Sequence, residues 1–391
     1  MAKQTINIGS SANDGTGSTL REAFDICNDN FTEIYGGTTS ALGFKAEGTN
    51  FTGSLLIGHS TTGTISSAQH NTGVGISALD ALTSGDHNTA VGKGAGGAIA
   101  GGESNTIVGA IAGAAITTGD HNTAVGHGAL SAEDTHGYNV AIGYKTLNVQ
   151  NAGANAYNVA VGYEAGKEVT SGTLNTLVGG LAGDALTSGS RNIAMGYEAL
   201  STEDTGHRNV AIGYQALKVQ NYGDNNYNVA VGYQAGSSVT SGLRNVLIGG
   251  EVADALTSGN DNVALGHAAL GAEDTGAKNT AIGSYALASL DYNGDGHNIA
   301  VGFNAGLNMS TGTQNTIIGS VAGDALTTGG SNIAIGVLAL SAEDTGSRNV
   351  AIGYGSLENQ NYDGSAYNVA VGYDSGKQIT TGIRNTIMGS L

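Results

Sequence analysis

The pentad Asn139-Val140-Ala141-Ile142-Gly143 is one copy of a short motif that recurs along most of the chain. The copies share the pattern Asn-[Thr/Val/Ile]-x-[aliphatic]-Gly and start 17 residues apart, with a step of 19 once in every four, so that the whole pattern repeats every 70 residues. Such fixed-period self-similarity predicts a stack of about twenty structural repeats. Full copies begin at Asn71, Asn88, Asn105, Asn122, Asn139, Asn158, Asn175, Asn192, Asn209, Asn228, Asn245, Asn262, Asn279, Asn298, Asn315, Asn332, Asn349, Asn368 and Asn385, and a degenerate copy begins at Ser54.

Each pentad is short, β-branched and closed by glycine, which predicts a β-strand ending in a turn. Side chains alternate along a strand, so Val140 and Ile142 share one face while Asn139, Ala141 and Gly143 share the other. We expect the aliphatic face to be buried in the stack and the small face to admit another backbone. A second short strand and a polar return should complete each coil. The asparagines should form a ladder of amides, and the glycines should adopt positive φ.

Composition narrows the classes of protein that fit this repeat. The chain has 391 residues with 66 Gly, no Pro and 12% charged residues, which is too apolar for disorder and compatible with extensive backbone ladders. A net charge of −18 argues against nucleic acid and anionic membrane surfaces as partners. The single cysteine, Cys27, excludes an internal disulfide framework.

The N-terminal region differs from the repeats. Residues 1–36 form a predicted attachment segment with one helix over about 19–35, residues 37–53 a linker, and residues 54–391 the solenoid shaft. The apolar residues of the helix have heptad spacing, which predicts a docking or trimer seam formed by Leu20, Phe24, Cys27, Phe31 and Ile34. No apolar segment typical of a secretory signal or a membrane span occurs, so we expect synthesis in a cytoplasm and no membrane insertion. The last strand precedes Leu391 directly, which predicts an open edge capped by partner chains or another protein.

The repeat Asn-Val-Ala-Ile-Gly-x-x-Ala, as at residues 209–216, resembles the head repeat of YadA-type trimeric autotransporter adhesins. The resemblance covers about residues 54–391 and implies a left-handed parallel β-roll assembled as a homotrimer. The coils of 17–19 residues are longer than those of the adhesin heads. We expect neither a secretion signal nor a membrane anchor of the autotransporter kind, which argues against an actual autotransporter.

A second resemblance concerns the first 36 residues. The segments Ala12–Gly17, Leu20–Phe24 and Asn28–Tyr35 are similar to the N-terminal attachment segment of structural proteins in tailed phages of marine cyanobacteria. Together the two resemblances imply a virion fibre. Its N-terminus would dock on other virion proteins, and its trimeric shaft would contact a host cell-envelope receptor, expected to be a glycan.

Three residue sets could carry chemistry instead. Glu-Asp-Thr recurs at Glu133, Glu203, Glu273 and Glu343, and Asn/Asp/Gly-rich arms occur at residues 221–226, 291–296 and 361–364. We interpret both sets as solvated arms and turns, with Ca²⁺ binding as the alternative, and assign no cofactor and no metal site. A tyrosine often follows the strand glycine, as at Tyr144, Tyr163, Tyr197, Tyr214, Tyr233, Tyr354 and Tyr373, and fits either stacking between coils or glycan binding.

The favoured interpretation is therefore an all-β, homotrimeric tail fibre that is not an enzyme. A head fibre or other virion appendage and a YadA-like bacterial surface adhesin remain the alternatives. A fibre-borne polysaccharide lyase or hydrolase is a further hypothesis, and the absence of a convergent acid pair in the repeats speaks against it.

Overall fold

A computed structural model describes residues 44–45, 52–58 and 65–390. The described residues contain strands and turns and no helix. The helix predicted over 19–35, with its five seam residues, lies outside them. The chain divides into two compact units, Met1–Gly137 (the N-terminal unit) and Tyr138–Leu391 (the C-terminal unit).

The strands are short and evenly spaced, as the pentads predict. Those of the N-terminal unit are β1 (Phe44–Lys45), β2 (Leu55–Ile57), β3 (Thr72–Val74), β4 (Thr89–Val91), β5 (Thr106–Val108) and β6 (Thr123–Val125). Those of the C-terminal unit are β7 (Val140–Ile142), β8 (Val159–Val161), β9 (Thr176–Val178), β10 (Ile193–Met195), β11 (Val210–Ile212), β12 (Val229–Val231), β13 (Val246–Ile248), β14 (Val263–Leu265), β15 (Thr280–Ile282), β16 (Ile299–Val301), β17 (Thr316–Ile318), β18 (Ile333–Ile335), β19 (Val350–Ile352), β20 (Val369–Val371) and β21 (Thr386–Met388).

From β2 onward, successive strands within each unit pair in parallel and in register. Ala211 of β11 lies opposite Ala230 of β12, for example, although a 19-residue step separates the two strands. The extra two residues are therefore accommodated outside the sheet. The one antiparallel pair among the described strands joins β1 to β2. The predicted parallel β-solenoid is confirmed, with one strand in each coil.

The expected second strand is absent from the coils that the structure describes, because left-handed residues interrupt the backbone after the glycine turn. In the coil of Asn209, both Gln215 and Leu217 have positive φ, at 55° and 48°. Two such residues separated by one residue turn the chain repeatedly and prevent an extended strand. The turn segment still bonds to the next coil, since Leu217 N donates to Ala235 O at 3.1 Å. One edge of each coil is thus a sheet, and the rest is stacked turns.

The two faces of the strand are oriented opposite to our expectation. Ala141, in the middle of β7, is fully buried, whereas Val140 is half-buried and Ile142 is 38% exposed. The small face therefore points into the coil and packs against that coil's own turns. The aliphatic residues Val140 and Ile142 point outward and are not the repeat core that we assigned. Hence the small face cannot be the contact between chains.

The asparagine ladder is confirmed, and its bonds run mainly to backbone groups. Asn245 is fully buried, and its Oδ1 accepts the N–H of Asn262 one coil further on, at 3.0 Å. Its Nδ2 donates to Gly259 O at 2.9 Å, and its own N–H donates to Asn228 Oδ1 at 2.8 Å. Asn245 therefore closes its own coil and links it to both neighbours.

The strand glycines are also placed as predicted, and they are required for the coil spacing. Gly143 has φ 139° and Gly249 has φ 145°. A Cβ built on Gly249 would lie 2.5 Å from the carbonyl oxygen of Gly266 in the next coil. The position thus excludes a side chain both by its backbone conformation and by the approach of the neighbouring coil.

The 70-residue period has a packing origin. The middle strand residue is usually alanine, and a leucine eight residues after the asparagine fills the coil, as Ala211 and Leu217 do. Leu177 instead occupies the middle of β9, and a Cβ on Gly166 or Gly183 would lie 2.6 or 2.8 Å from its methyl carbons. Large and small residues thus exchange places every fourth coil, which keeps the interior filled.

We expect Asn245→Ala to lower the stability of the solenoid by about 2–4 kcal/mol, because it leaves the buried N–H of Asn262 and C=O of Gly259 without partners. The urea midpoint of the circular dichroism signal measures this loss. Asn308→Ala is the matched control, since Asn308 is exposed and bonds through its backbone N–H. Equal midpoints for the two variants would contradict the structural role of the ladder.

Candidate interaction surface

The first and third residues of the strands form a continuous apolar surface in each unit, which we call the outer sheet face. From β2 to β21 the third residue is always Val, Ile, Leu or Met, and the first is one of these aliphatic residues or Thr. No charged residue interrupts the face. Several of its side chains are well exposed, including Ile193 at 37%, Met195 at 39% and Ile299 at 42%. Single exposed aliphatic residues are ordinary, but an uncharged row of them is typical of an interaction surface.

The residues that directly follow the strand glycines border this face at the carboxyl ends of the strands. Many of them are tyrosines, and we call this row the tyrosine column. Consecutive rings stack nearly parallel along the coils, and the ring centroids of Tyr214 and Tyr233 are 5.3 Å apart with planes inclined by 8°. The stacking between coils that the sequence suggested is therefore present. The other stacked pairs of this column are Tyr144–Tyr163, Tyr197–Tyr214 and Tyr354–Tyr373.

Basic residues border the amino ends of the strands. All arginines of the described residues directly precede a ladder asparagine: Arg191, Arg208, Arg244, Arg348 and Arg384. Some are held by neighbouring coils, since Arg244 Nε donates to Asp261 at 2.6 Å and the Arg208 guanidinium lies 5.4 Å from the centre of the Tyr227 ring. The outer sheet face is therefore an apolar strip between a mixed polar and aromatic edge, which holds the arginines, and the tyrosine column.

The recurring Glu-Asp-Thr glutamates are buried, which corrects our interpretation of them as solvated arms. Glu203 is fully buried, and its carboxylate accepts the N–H of Gly206 at 2.7 Å and the Nδ2 of Asn226 at 2.9 Å. Burial raises the pKa of Glu203 to about 7, even though these bonds and that of Tyr222 N–H lower it. Burial also raises the pKa values of Glu133, Glu273 and Glu343. These glutamates fasten the polar return from inside the coil.

Two acidic groups bring potential metal ligands together, with the ligand atoms of each group within 4.8 Å of one another. They are Glu133–Asp134–His136 in the N-terminal unit and Glu273–Asp274–Asp291 in the C-terminal unit. In the arm at residues 291–296, Asp295 instead pairs with Lys278 at 2.5 Å, and Asn293 accepts the hydroxyl hydrogen of Thr275 at 2.5 Å. The side-chain oxygens of Asn293 and Asp295 are thus bonded to the preceding coil. These contacts alone support no cation site.

Comparisons with known proteins do not assign this chain to a family, because no family model, curated protein or solved structure matches it. Within the described residues, no helix is long and apolar enough to cross a lipid bilayer.

The sequence analysis did not predict the outer sheet face, although the sequence contains a signal for it. Threonine recurs at the first strand position, as in Thr89 and Thr176, whereas the middle position is always Ala, Gly, Leu or Ile. A position that tolerates a hydroxyl group in many coils is a better candidate for the solvent side than one that never carries a polar atom. The relative polarity of the two positions indicates their orientation more reliably than their size.

We expect the melting temperature to fall as the pH rises from about 4.5 to 7. An acid whose pKa is raised in the folded state binds more protons there than in the unfolded chain, so its contribution to stability decreases through this window. Glu203→Gln should flatten this dependence while retaining an acceptor for Gly206 N–H. Glu168→Gln removes an exposed carboxylate and serves as the control. A slope unchanged in Glu203→Gln but altered in the control would contradict the assignment.

Proposed function

We propose that this chain is a homotrimeric fibre protein of a bacteriophage particle, most simply a tail fibre. It would dock on the virion through residues 1–36 and present its solenoid to the host surface. The observation that carries this proposal is the long in-register stack of coils with an uncharged apolar outer sheet face. The resemblance of the N-terminal segment supports a location on a virion, and the resemblance of the repeat supports assembly as a trimer.

A stack of this kind suits a spacer. Coils in a parallel sheet succeed one another at about 4.8 Å, so the fifteen strands of the C-terminal unit extend over roughly 70 Å. Each coil contacts its neighbours through the asparagine ladder and the sheet, so length is gained without a larger core. An elongated structure built in this way favours a role as a spacer in adhesion over a role in catalysis.

The outer sheet face supports self-association. Its side chains recur at the spacing of the coils, and a surface with the same spacing can match them along its whole length. A second copy of the chain supplies that spacing without any adjustment. The net charge of −18 opposes association elsewhere on the surface, but the face itself carries no charge. Three copies with these faces turned inward would bury the aliphatic rows and leave the polar returns in water.

Labelling of particles tests the location. Antibodies against the C-terminal unit should mark the tips of tail fibres in electron micrographs of the phage. Labelling on the capsid would favour a head fibre. Labelling on the surface of uninfected bacteria would favour an adhesin and overturn the virion proposal.

We expect native mass photometry to give three times the chain mass of 38.8 kDa. Ile193→Lys should reduce this to a single chain without loss of the β-sheet signal, because the residue is exposed on the outer sheet face and a lysine there would be buried between chains. Thr202→Lys adds the same charge on the exposed return and should leave the trimer intact. A wild-type protein of one chain mass, or a trimer in Ile193→Lys, would show that this face is not the contact.

A further inference from the structure

The tyrosine column is interrupted at Gly180. On one side of the gap, Tyr163 stacks on Tyr144 with centroids 5.5 Å apart, and on the other side Tyr197 stacks on Tyr214 at 5.8 Å. Each flanking tyrosine therefore has one ring face covered by a neighbouring tyrosine and the other turned towards the coil of Gly180. Tyr163 is 57% exposed and Tyr197 is 48% exposed.

The gap is open because no side chain fills it. A Cβ built on Gly180 would have only the Tyr197 ring within 4 Å, at 3.5 Å and 3.8 Å. Gly180 is not among the glycines with positive φ, so the backbone there does not require glycine. The missing side chain is thus a feature of the surface and not a demand of the fold.

The height of the gap suits one ring. Ring centroids one coil apart in this column are separated by 5.5 Å and 5.8 Å, so two coil steps place the facing rings roughly 11 Å apart. A ring inserted midway would lie about 5.5 Å from each tyrosine, which is within the range of favourable ring stacking. One six-membered ring fills this space, and two do not fit.

Carboxylates lie beside both walls of the gap, where Glu164 accepts a hydrogen bond from Tyr163 and Glu198 accepts one from Tyr197. Asp184 lies close enough to Glu164 and Glu198 for their charges to raise its pKa, and burial, the largest cause, brings that value to about 6. Its Oδ1 is buried and accepts no hydrogen bond. Glu164 and Glu198 are bound by Lys167 and Lys218, at 3.4 Å and 2.7 Å. Three carboxylates against two ammonium groups favour a ligand with hydrogen-bond donors and no negative charge.

We propose that the gap at Gly180 is a binding slot for one uncharged or amino pyranose ring of a glycan, held between Tyr163 and Tyr197. The C–H faces of the sugar pack on the two rings, and its hydroxyl groups donate to Glu164 and Glu198. Apolar walls with a few converging polar groups are the usual composition of a small-ligand site. This inference rests on the proposed host-attachment function and specifies its ligand class.

Related gaps recur every fourth coil of the C-terminal unit. Gly250 lies between Tyr233 and His267 in the column, and Ser320 lies between Phe303 and Val337. Among these, the Gly180 gap has tyrosines on both sides, so we assign the site there. His267 at the second gap is also paired with Glu251, at 3.6 Å.

Saturation-transfer NMR on the full chain tests the slot, with methyl glucoside, methyl galactoside, glucosamine and glucuronate as probes. We expect transfer to the ring C–H protons of at least one of the first three sugars, and at least tenfold weaker transfer to glucuronate. Gly180→Tyr should abolish the signal by filling the gap. Tyr197→Leu should abolish it by removing one wall, although it changes the volume in the opposite direction.

Tyr222→Ala is the control, because Tyr222 is 41% exposed and lies on an arm outside the column. It should leave the transfer unchanged, and all variants should keep the β-sheet signal and the native mass. No transfer to any sugar, preferred binding of glucuronate, or full binding by Gly180→Tyr would overturn the slot. Trimer mass and particle labelling are separate measurements, so the slot can fail while the fibre proposal stands.

Discussion

Each coil must place its backbone groups opposite those of the next coil, and the buried asparagine is what fixes this register. The side chain of Asn245 spans the interior of its own coil through Gly259 and joins the coils on both sides through backbone N–H groups. A buried amide without partners is costly, so a slip by one residue would break every rung of the ladder. The 19-residue coils obey the same constraint, because their two extra residues leave the strand pairing unchanged.

This register leaves very little room inside the coil, and the small interior determines what lies outside. Small residues are common at the inward positions, and a leucine lies in the strand where glycine or alanine takes the place of leucine on the opposite turn, as for Leu177 with Gly183 and Leu247 with Ala253. The β-branched residues that favour the strand conformation must then face outward. The apolar outer sheet face is therefore a consequence of a narrow core, and it makes burial by another chain favourable.

The turns have a different task from the sheet. Left-handed residues such as Gln215 and Leu217 bend the backbone, and buried glutamates such as Glu203 bond the return from within. Side chains beyond the strand glycine are free of these demands, which is why one column can hold tyrosine in some coils and glycine in others. The variable column beside a constant sheet is where binding specificity can change without cost to the fold.

The sequence by itself determined the repeat, its register, the asparagine ladder and the glycine turns, because each depends on local spacing that is repeated along the chain. It did not decide which face of the strand is buried: Val140 and Ile142 are the more hydrophobic residues, yet Ala141 is inside. That choice depends on the turns that close the coil, whose leucines occupy the interior and leave space for a methyl group only. The burial of Glu203 and the ring-sized gap at Gly180 likewise arise from contacts between coils, since residues 17 or 19 positions apart become neighbours only when the chain is wound.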